Sequence, residues 1–459
     1  MPTLRPYQER FIASIRAAYA AGSRRVLGVS PTGSGKTVCF SFMASQAVAK
    51  GLRVGIVAHR IEILDQIATA LDQWGVPYGF VAPGRQINPL APVQICSVQS
   101  LVRRIERYQA RPFDFLIVDE AHHAAAGTSW AAVIGVHADK RILGVTATPT
   151  RLSGEPLTEC FDNLVIGPTT AELIALGALS PYIAFAPATP ELGMVKRRMG
   201  DYDRAELDAF MDKATITGDA VREYQRRTPG KRAVAFCVSV AHAEHVAASF
   251  MGAGIAALSV DGKMDRRVRS AAIASFKAGE TMVLTSADLV SEGFDLPAIE
   301  AAILLRPTRS LALYLQQVGR ALRPYPGKDR AVILDHASNI RAHGLPDDER
   351  EWSLEGREKG KRGPIGPTMP TNMCERCFYI GRPFTACPLC GHVREVQGRI
   401  VELVAGDLEA VDVEAVRRAR KVEQASARTL DELIRLGTSR GYPNPHGWAR
   451  HMIAARAKR

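Results

Sequence analysis

Ser30-Pro31-Thr32-Gly33-Ser34-Gly35-Lys36-Thr37 decides the reading of this 459-residue chain. It follows the apolar run Arg25 to Val29, which reads as a buried strand. It precedes Val38 to Lys50, which reads as a helix rich in Ala, Met and Phe. A glycine-bearing turn between strand and helix exposes backbone N–H groups at a helix N-terminus, and those groups bind phosphate oxygens. Lys36 would reach the outer phosphates, and the Thr37 hydroxyl would ligate Mg²⁺. The general phosphate-loop pattern places Gly at position 30, where this chain has Ser30.

Outward from the loop, short apolar runs alternate with helical stretches. Arg53 to Ala58 ends at His59-Arg60, and Val93 to Ser97 ends near Gln99-Ser100. Phe113 to Val118 runs into Asp119-Glu120-Ala121-His122, and Ile142 to Val145 runs into Thr146-Ala147-Thr148-Pro149. Such alternation predicts a doubly wound parallel sheet. Ligands of these sheets bind beyond the strand C-terminal ends, where every polar cluster just named lies. Asp119 can hold Mg²⁺ through water, and Glu120 can orient or deprotonate an attacking water. Upstream, Leu4-Arg5-Pro6-Tyr7-Gln8 leads into a helix from Glu9 to Ala20. The Gln8 amide offers the donor and the acceptor that an adenine edge needs.

These segments, in this order and spacing, resemble motifs of superfamily 2 helicases of the DEAH-box type. That superfamily tolerates small residues such as Ser30 at the loop's first position.

A second α/β unit follows a join from Gly167 to Arg204 that carries the strand Tyr182 to Ala186 and the basic run Lys196 to Arg198. Its further strands are expected at Ala233–Val238, Ala256–Val260, Met282–Thr285, Ala301–Leu305 and Ala331–Leu334. Helices are expected at Ala241–Met251, Arg266–Ala278 and Ser310–Ala321. It has no phosphate loop. It carries Thr285-Ser286-Ala287-Asp288 running on to Glu292-Gly293-Phe294-Asp295, and Gln316-Gln317-Val318-Gly319-Arg320-Ala321-Leu322-Arg323. Arg320 and Arg323, three apart, share a helix face. Two guanidiniums there suit a phosphate presented by another domain.

These clusters resemble the fifth and sixth motifs of the same superfamily, over residues 4 to 340. The resemblance implies two tandem RecA-like domains, 1–168 and 169–350, with ATP between them. It implies that Gln8 contacts adenine, and that Pro31, Thr32, Gly33, Ser34, Gly35, Lys36 and Thr37 hold phosphates and Mg²⁺. Asp119 would bind Mg²⁺ through water and Glu120 would be the catalytic base. His122, Thr146 and Thr148 would couple ATP state to domain motion. Gln316, Arg320 and Arg323 would sense the γ-phosphate, with Gly293 and Asp295 near the nucleotide. Arg60, Gln99 and Ser286 would touch the nucleic-acid backbone.

Beyond a basic Gly- and Pro-bearing linker (351–370) lies Cys374-x2-Cys377-x9-Cys387-x2-Cys390. Two such knuckles can wrap one tetrahedral Zn²⁺ in a closed, structural site. Two disulfides are disfavoured in a reducing compartment. The segment 371–395 resembles a zinc ribbon, too small for a core of its own, so metal would supply its folding energy. Residues 396–459 read as a helical basic tail, with Arg417, Arg418, Arg420 and Lys421 as candidate nucleic-acid contacts. Cys39, Cys96, Cys160 and Cys237 read as buried thiols.

The net charge of +12 suits a polyanionic partner. Half of the surplus lies in the last quarter, where 19 Lys and Arg face 13 Asp and Glu between Glu351 and Arg459. No apolar run has membrane-spanning length, and the N-terminus lacks signal-peptide layout, so a cytoplasmic location is expected. The expected activity is an ATP-driven helicase or translocase, with DNA favoured over RNA. A remodeller of protein–nucleic-acid complexes and an RNA helicase are the alternatives. A non-enzymatic scaffold would have lost Lys36, Glu120 or Arg320, and all three are present.

Overall fold

In the computed structural model, the described residues are 2–124, 127–149, 154–186, 197–198, 201–211, 214–287, 299–355, 369–393, 418, 422–441 and 444–457. Residues 1–394 form one compact unit and 395–459 another.

The first lobe is built on seven strands: β1 (Arg25–Val29), β2 (Val54–Ala58), β3 (Tyr78–Val81), β4 (Val93–Ser97), β5 (Phe115–Asp119), β6 (Arg141–Thr146) and β7 (Asn163–Ile166). They pair in parallel in the order β3-β4-β2-β5-β6-β1-β7. Strands such as Val-Gly-Ile-Val-Ala are buried throughout because helices cover both faces. One face packs against the helices Pro6–Ala20, Lys36–Val48 and Ile61–Gln73, and the other against Val98–Val102 and Ser129–Val136.

The second lobe begins with β8 (Tyr182–Phe185). A short antiparallel hairpin follows, β9 (Arg197–Arg198) with β10 (Asp201–Tyr202). Then come β11 (Ala233–Phe236), β12 (Ala257–Ser259), β13 (Val283–Ser286), β14 (Ala301–Leu304) and β15 (Ala331–Asp335). The sheet order is β12-β13-β11-β14-β15-β8, parallel throughout. The first strand of this lobe in sequence thus lies at the sheet edge. Helices Val240–Gly252, Arg266–Ala278 and Leu311–Ala321 match the sequence expectations within a residue or two.

Two edge strands of the first lobe, β3 and β7, and the helices Arg204–Met211 and Ala214–Arg227 were not among the sequence expectations. In β3, Gly79 is required by a close approach. A Cβ there would stand 2.2 Å from the Asn88 carbonyl oxygen.

The lobes share packing. Tyr7, from the first helix, belongs to the second lobe's core, and Trp352 packs against the cores of both. Downstream, the Leu157 amide donates to the Leu354 carbonyl at 2.7 Å, so the chain leaving the second lobe returns to the first.

The cysteine module pairs β16 (Asn372–Met373) with β17 (Ile380–Gly381). It docks on the free edge of β8. Phe185 and Tyr379 form an antiparallel bridge, and the Ala186 amide donates to the Phe378 carbonyl at 3.0 Å. In the unit 395–459, helix Leu430–Ser439 is capped by Thr429 and Glu432 and packs on Pro445–Ala457, with Gly437 against Pro445 and Trp448. Arg418 is described there and exposed, while Arg417, Arg420 and Lys421 lie outside the described residues.

Candidate active site between the two lobes

Helix Lys36–Val48 starts at Gly35, whose φ of 83° is left-handed, and no side chain caps it. Its first amides are therefore available to an anion. Gly33 is also left-handed, with φ 87°. Lys36 donates from Nζ to the Ser30 and Pro31 carbonyls at 3.0 and 3.2 Å, folding its ammonium back over the loop. Burial lowers its pKa; Glu120 and Asp119 act against that, and Arg323 and Arg320 add to it. Three cations thus crowd one space, an arrangement that bound phosphates would relieve.

Asp119 ends β5 and Glu120 turns left-handed, with φ 48° and ψ 46°. Left-handed backbone is uncommon for a residue with a side chain and clusters at functional sites. Burial and the neighbouring Glu120 charge push the Asp119 carboxyl up to about 6. Two adjacent carboxylates in a buried site favour a cation beside them.

Glu120 Oε2 stands 3.3 Å from His122 Nδ1, which also lies 3.0 Å from Thr146 Oγ1. The Thr146 hydroxyl in turn bonds the Thr148 backbone, donating to its carbonyl at 3.1 Å. Finally, the Ser30 amide donates to the Thr146 carbonyl at 3.0 Å. One chain of contacts therefore joins the acidic pair, the Thr146–Thr148 turn and the phosphate loop.

The second lobe closes the site. Gln316 donates from Nε2 to Glu120 Oε1 at 3.4 Å. Gly319 faces Thr32 so closely that a Cβ would lie 2.7 Å from Thr32 Cβ. Glycine at 319 lets the arginine-bearing helix approach the loop. Gln316, Arg320 and Arg323 line one cavity of about 540 Å³ with Gln8, Gly33 to Thr37, Asp119 and Glu120. Gln316 and Arg320 are both buried.

Gln8 is already engaged. Its Oε1 accepts from the Arg5 amide at 2.9 Å, and its Nε2 donates to the Ser34 carbonyl at 3.2 Å, where Tyr7 Oη also donates. Base contact by this amide would require it to release the loop.

Of the expected backbone contacts, Arg60 sits at the start of helix Ile61–Gln73 and donates to His59 Nε2 at 3.2 Å. Gln99 is exposed on Val98–Val102. Ser286 ends β13 and is buried at 1% exposure. Gly293 and Asp295 lie outside the described residues, as do Asp288 and Lys196. Sequence reasoning missed an aromatic stack behind the acidic loop. His123 lies 4.2 Å from His122, 5.3 Å from His59 and 6.4 Å from Trp130 between ring centroids. Nothing in the spacing of those residues signals it.

At the cysteine module, Cys374, Cys377, Cys387 and Cys390 place their sulfurs within 4.8 Å of one another. The pairs Cys374–Cys390 and Cys377–Cys387 are 3.7 and 3.6 Å apart, so neither is a disulfide. Thiolates at about 2.3 Å from a tetrahedral centre stand about 3.8 Å apart, so the donor set fits Zn²⁺.

Two family models match the chain: "Type III restriction enzyme, res subunit" over residues 1–151, and "Helicase conserved C-terminal domain" over 214–325. A 51.5 kDa protein of a Lactococcus phage is 34% identical over 395 residues, covering 84% of this chain and 82% of the relative. The Saccharomyces cerevisiae protein IRC3, provisionally named an ATP-dependent helicase, is 28% identical, covering 75% of this chain and 53% of its own. Among solved structures, the ATP-dependent Type ISP restriction-modification enzyme LlaBIII bound to DNA has a TM-score of 0.54. It is 20% identical and covers 72% of this chain and 27% of its own. The chain thus spans most of the phage relative but about half of the yeast one.

Two parallel-sheet lobes with a phosphate loop in one and paired arginines in the other define a nucleotide-driven motor. The chain belongs to superfamily 2 of the helicases, as an ATP-hydrolysing, nucleic-acid-dependent enzyme. No helix among the described residues is long and apolar enough to cross a membrane.

Proposed function

We propose that this protein is an ATP-driven DNA translocase, hydrolysing ATP in the cleft between its lobes. The observation that carries this reading is the convergence of Lys36, Arg320 and Arg323 on one cavity with Asp119 and Glu120. DNA is favoured over RNA because a restriction-enzyme family model matches the first lobe and LlaBIII is a DNA-bound structural relative. The domain limits we propose are those read from the sequence, 1–168 and 169–350, with a cytoplasmic setting that keeps the cysteine quartet reduced.

In this reading the loop amides and Lys36 bind the phosphates, and Glu120 takes a proton from the attacking water. Arg320 and Arg323 then oppose the charge that develops on the transferred phosphoryl group. Mg²⁺, when bound, offsets phosphate charge, and Thr37 with Asp119 would hold it. His122, Thr146 and Thr148 pass the occupancy of the cleft to the lobe contact, and Gly293 and Asp295 would flank the nucleotide. Arg60 and Gln99 would meet the DNA backbone, whereas Ser286, buried at the end of β13, is not presented to it.

The test is ATP turnover with duplex DNA, single-stranded DNA and RNA, with Lys36→Ala as control. DNA should raise wild-type turnover, and Lys36→Ala should reduce it at least about 100-fold, since phosphate-clamping charges act where charge develops. Absence of stimulation by any nucleic acid would refute the translocase reading; normal turnover in Lys36→Ala would refute the site.

The cysteine quartet would hold a structural Zn²⁺. The purified chain should carry zinc in a 1:1 ratio by elemental analysis, and Cys377→Ser should lower both zinc content and melting temperature. Metal-free protein with unchanged melting would count against it.

A further inference from the structure

The cysteine module does more than cover a sheet edge, because its seam with the second lobe is a basic groove. The groove has a volume of about 580 Å³ and is lined by Arg226, Arg227, Lys231, Arg330 and Arg376, with no carboxylate among the described residues of its lining. The cations come from three separate places. Arg226 and Arg227 end helix Ala214–Arg227, where the helix dipole favours positive charge. Lys231 and Arg330 stand just before β11 and β15. Arg376 lies within the first cysteine knuckle.

The groove has a fixed wall. Arg227 donates to the Cys377 carbonyl at 2.7 Å, lies 4.4 Å over the Phe185 ring and pairs with buried Glu223 at 3.2 Å. That pairing occupies Arg227. Arg226 stands 3.9 Å from Glu223, at the outer limit of an ion pair. Arg226, Arg330 and Arg376 are exposed and Lys231 is half-buried. The groove takes in the residues just before β11 and β15 and runs beside β8 to Phe185, whereas Ser286 ends β13 and does not line it. It is therefore a different surface from the one that the motor motifs present.

We infer that this seam is a second nucleic-acid site, which grips the phosphodiester backbone away from the ATP cleft. The inference rests on the translocase reading above. Several cations lining one groove match a chain of regularly spaced phosphates, and each contact releases condensed counterions. Leu389, 44% exposed at the groove, adds an apolar surface for sugars or bases. A track held at a point fixed to the second lobe would stay engaged while the cleft opens and closes.

The experiment uses the full chain with four substitutions, Arg226→Gln, Lys231→Gln, Arg330→Gln and Arg376→Gln, leaving Arg227 in place. Binding to duplex and single-stranded DNA is measured across salt concentrations, with zinc content and ATP turnover at saturating DNA. The slope of log affinity against log salt should fall by roughly 3 to 4, about 0.9 per contact on duplex and 0.7 on single strands. Zinc content and saturated turnover should stay at wild-type levels. An unchanged slope and affinity would overturn the inference. So would lost zinc with an unchanged slope, because the cations would then only offset thiolate charge. Weaker binding of polyglutamate with unchanged DNA binding would overturn it too, pointing to an acidic protein instead. A wild-type chain whose turnover no nucleic acid stimulates would instead refute the parent reading.

Discussion

Arg320→Ala should cut DNA-stimulated ATP turnover by about 10³-fold or more, the loss associated with removing an arginine that stabilises phosphoryl transfer. That is about 4 kcal/mol of transition-state stabilisation. The loss should fall on kcat, with ATP binding by the first lobe weakened much less. The reason is geometric. The loop and Lys36 belong to the first lobe and, in the proposed reading, hold ATP there without the second, while Arg320 is carried on Leu311–Ala321 of the second lobe. Its neighbour Gly319 brings that helix against Thr32. Lys36 already feels the charges of Arg323 and Arg320, so the guanidiniums are close enough to share one polyanion with it. Arg320→Lys should recover little, because an ammonium lacks the planar fork that can bond two oxygens together. Turnover kinetics with nucleotide binding measured separately would decide. Equal loss in binding and kcat would mean that Arg320 holds the ground state and does not act selectively on the transition state.

The features behind that expectation differ in how far the sequence discloses them. The strand–loop–helix around Lys36 and the acidic pair after β5 are legible because their neighbours in space are neighbours in the chain. Buried parallel strands read as continuous apolar runs, and their C-terminal ends are where polar residues must gather. The edge strands are less legible. Tyr78 to Val81 is only half-buried, so its pattern is weak, and its place depends on the distant Asn88 carbonyl.

Long-range partnerships are less legible still. Tyr7 in the second lobe's core and Trp352 between two cores arise from packing of the lobes on each other, and the Gln8 amide held by Ser34 from packing of the first helix on the loop. The basic seam is the extreme case. Arg226, Lys231, Arg330 and Arg376 span about a third of the chain and read singly as surface cations. The fold of the second lobe gathers the first three, and docking of the cysteine module on β8 adds Arg376.

Glu120→Gln should reduce turnover by about 10² to 10⁴-fold, the range of general-base contributions, and should leave ATP-dependent closure of the lobes intact. The substitution separates two duties of one side chain. As a carboxylate, Glu120 can take a proton; a carboxamide cannot. As an acceptor, its Oε1 receives the Gln316 amide from the other lobe at 3.4 Å, and a carboxamide oxygen can still do so. The variant should therefore bind ATP, close, and stay closed, so its grip on DNA with ATP should outlast that of wild type. Glu120→Ala removes both duties and should lose turnover together with the ATP-dependent grip. DNA dissociation rates with ATP and without nucleotide would distinguish the two variants. If Glu120→Gln turned over ATP normally, the base would have to be sought elsewhere. If it lost ATP-dependent DNA retention as fully as Glu120→Ala, the Gln316 contact would depend on the negative charge of Glu120. The left-handed backbone at this residue gives the separation its sense. Strain of that kind persists only where the surroundings fix it. Here the Asp119 carboxylate accepts the Glu120 amide at 3.0 Å, while His122 and Gln316 approach its two carboxylate oxygens from opposite lobes. In the proposed reading, the base is thus held by the same closure that its proton transfer would undo.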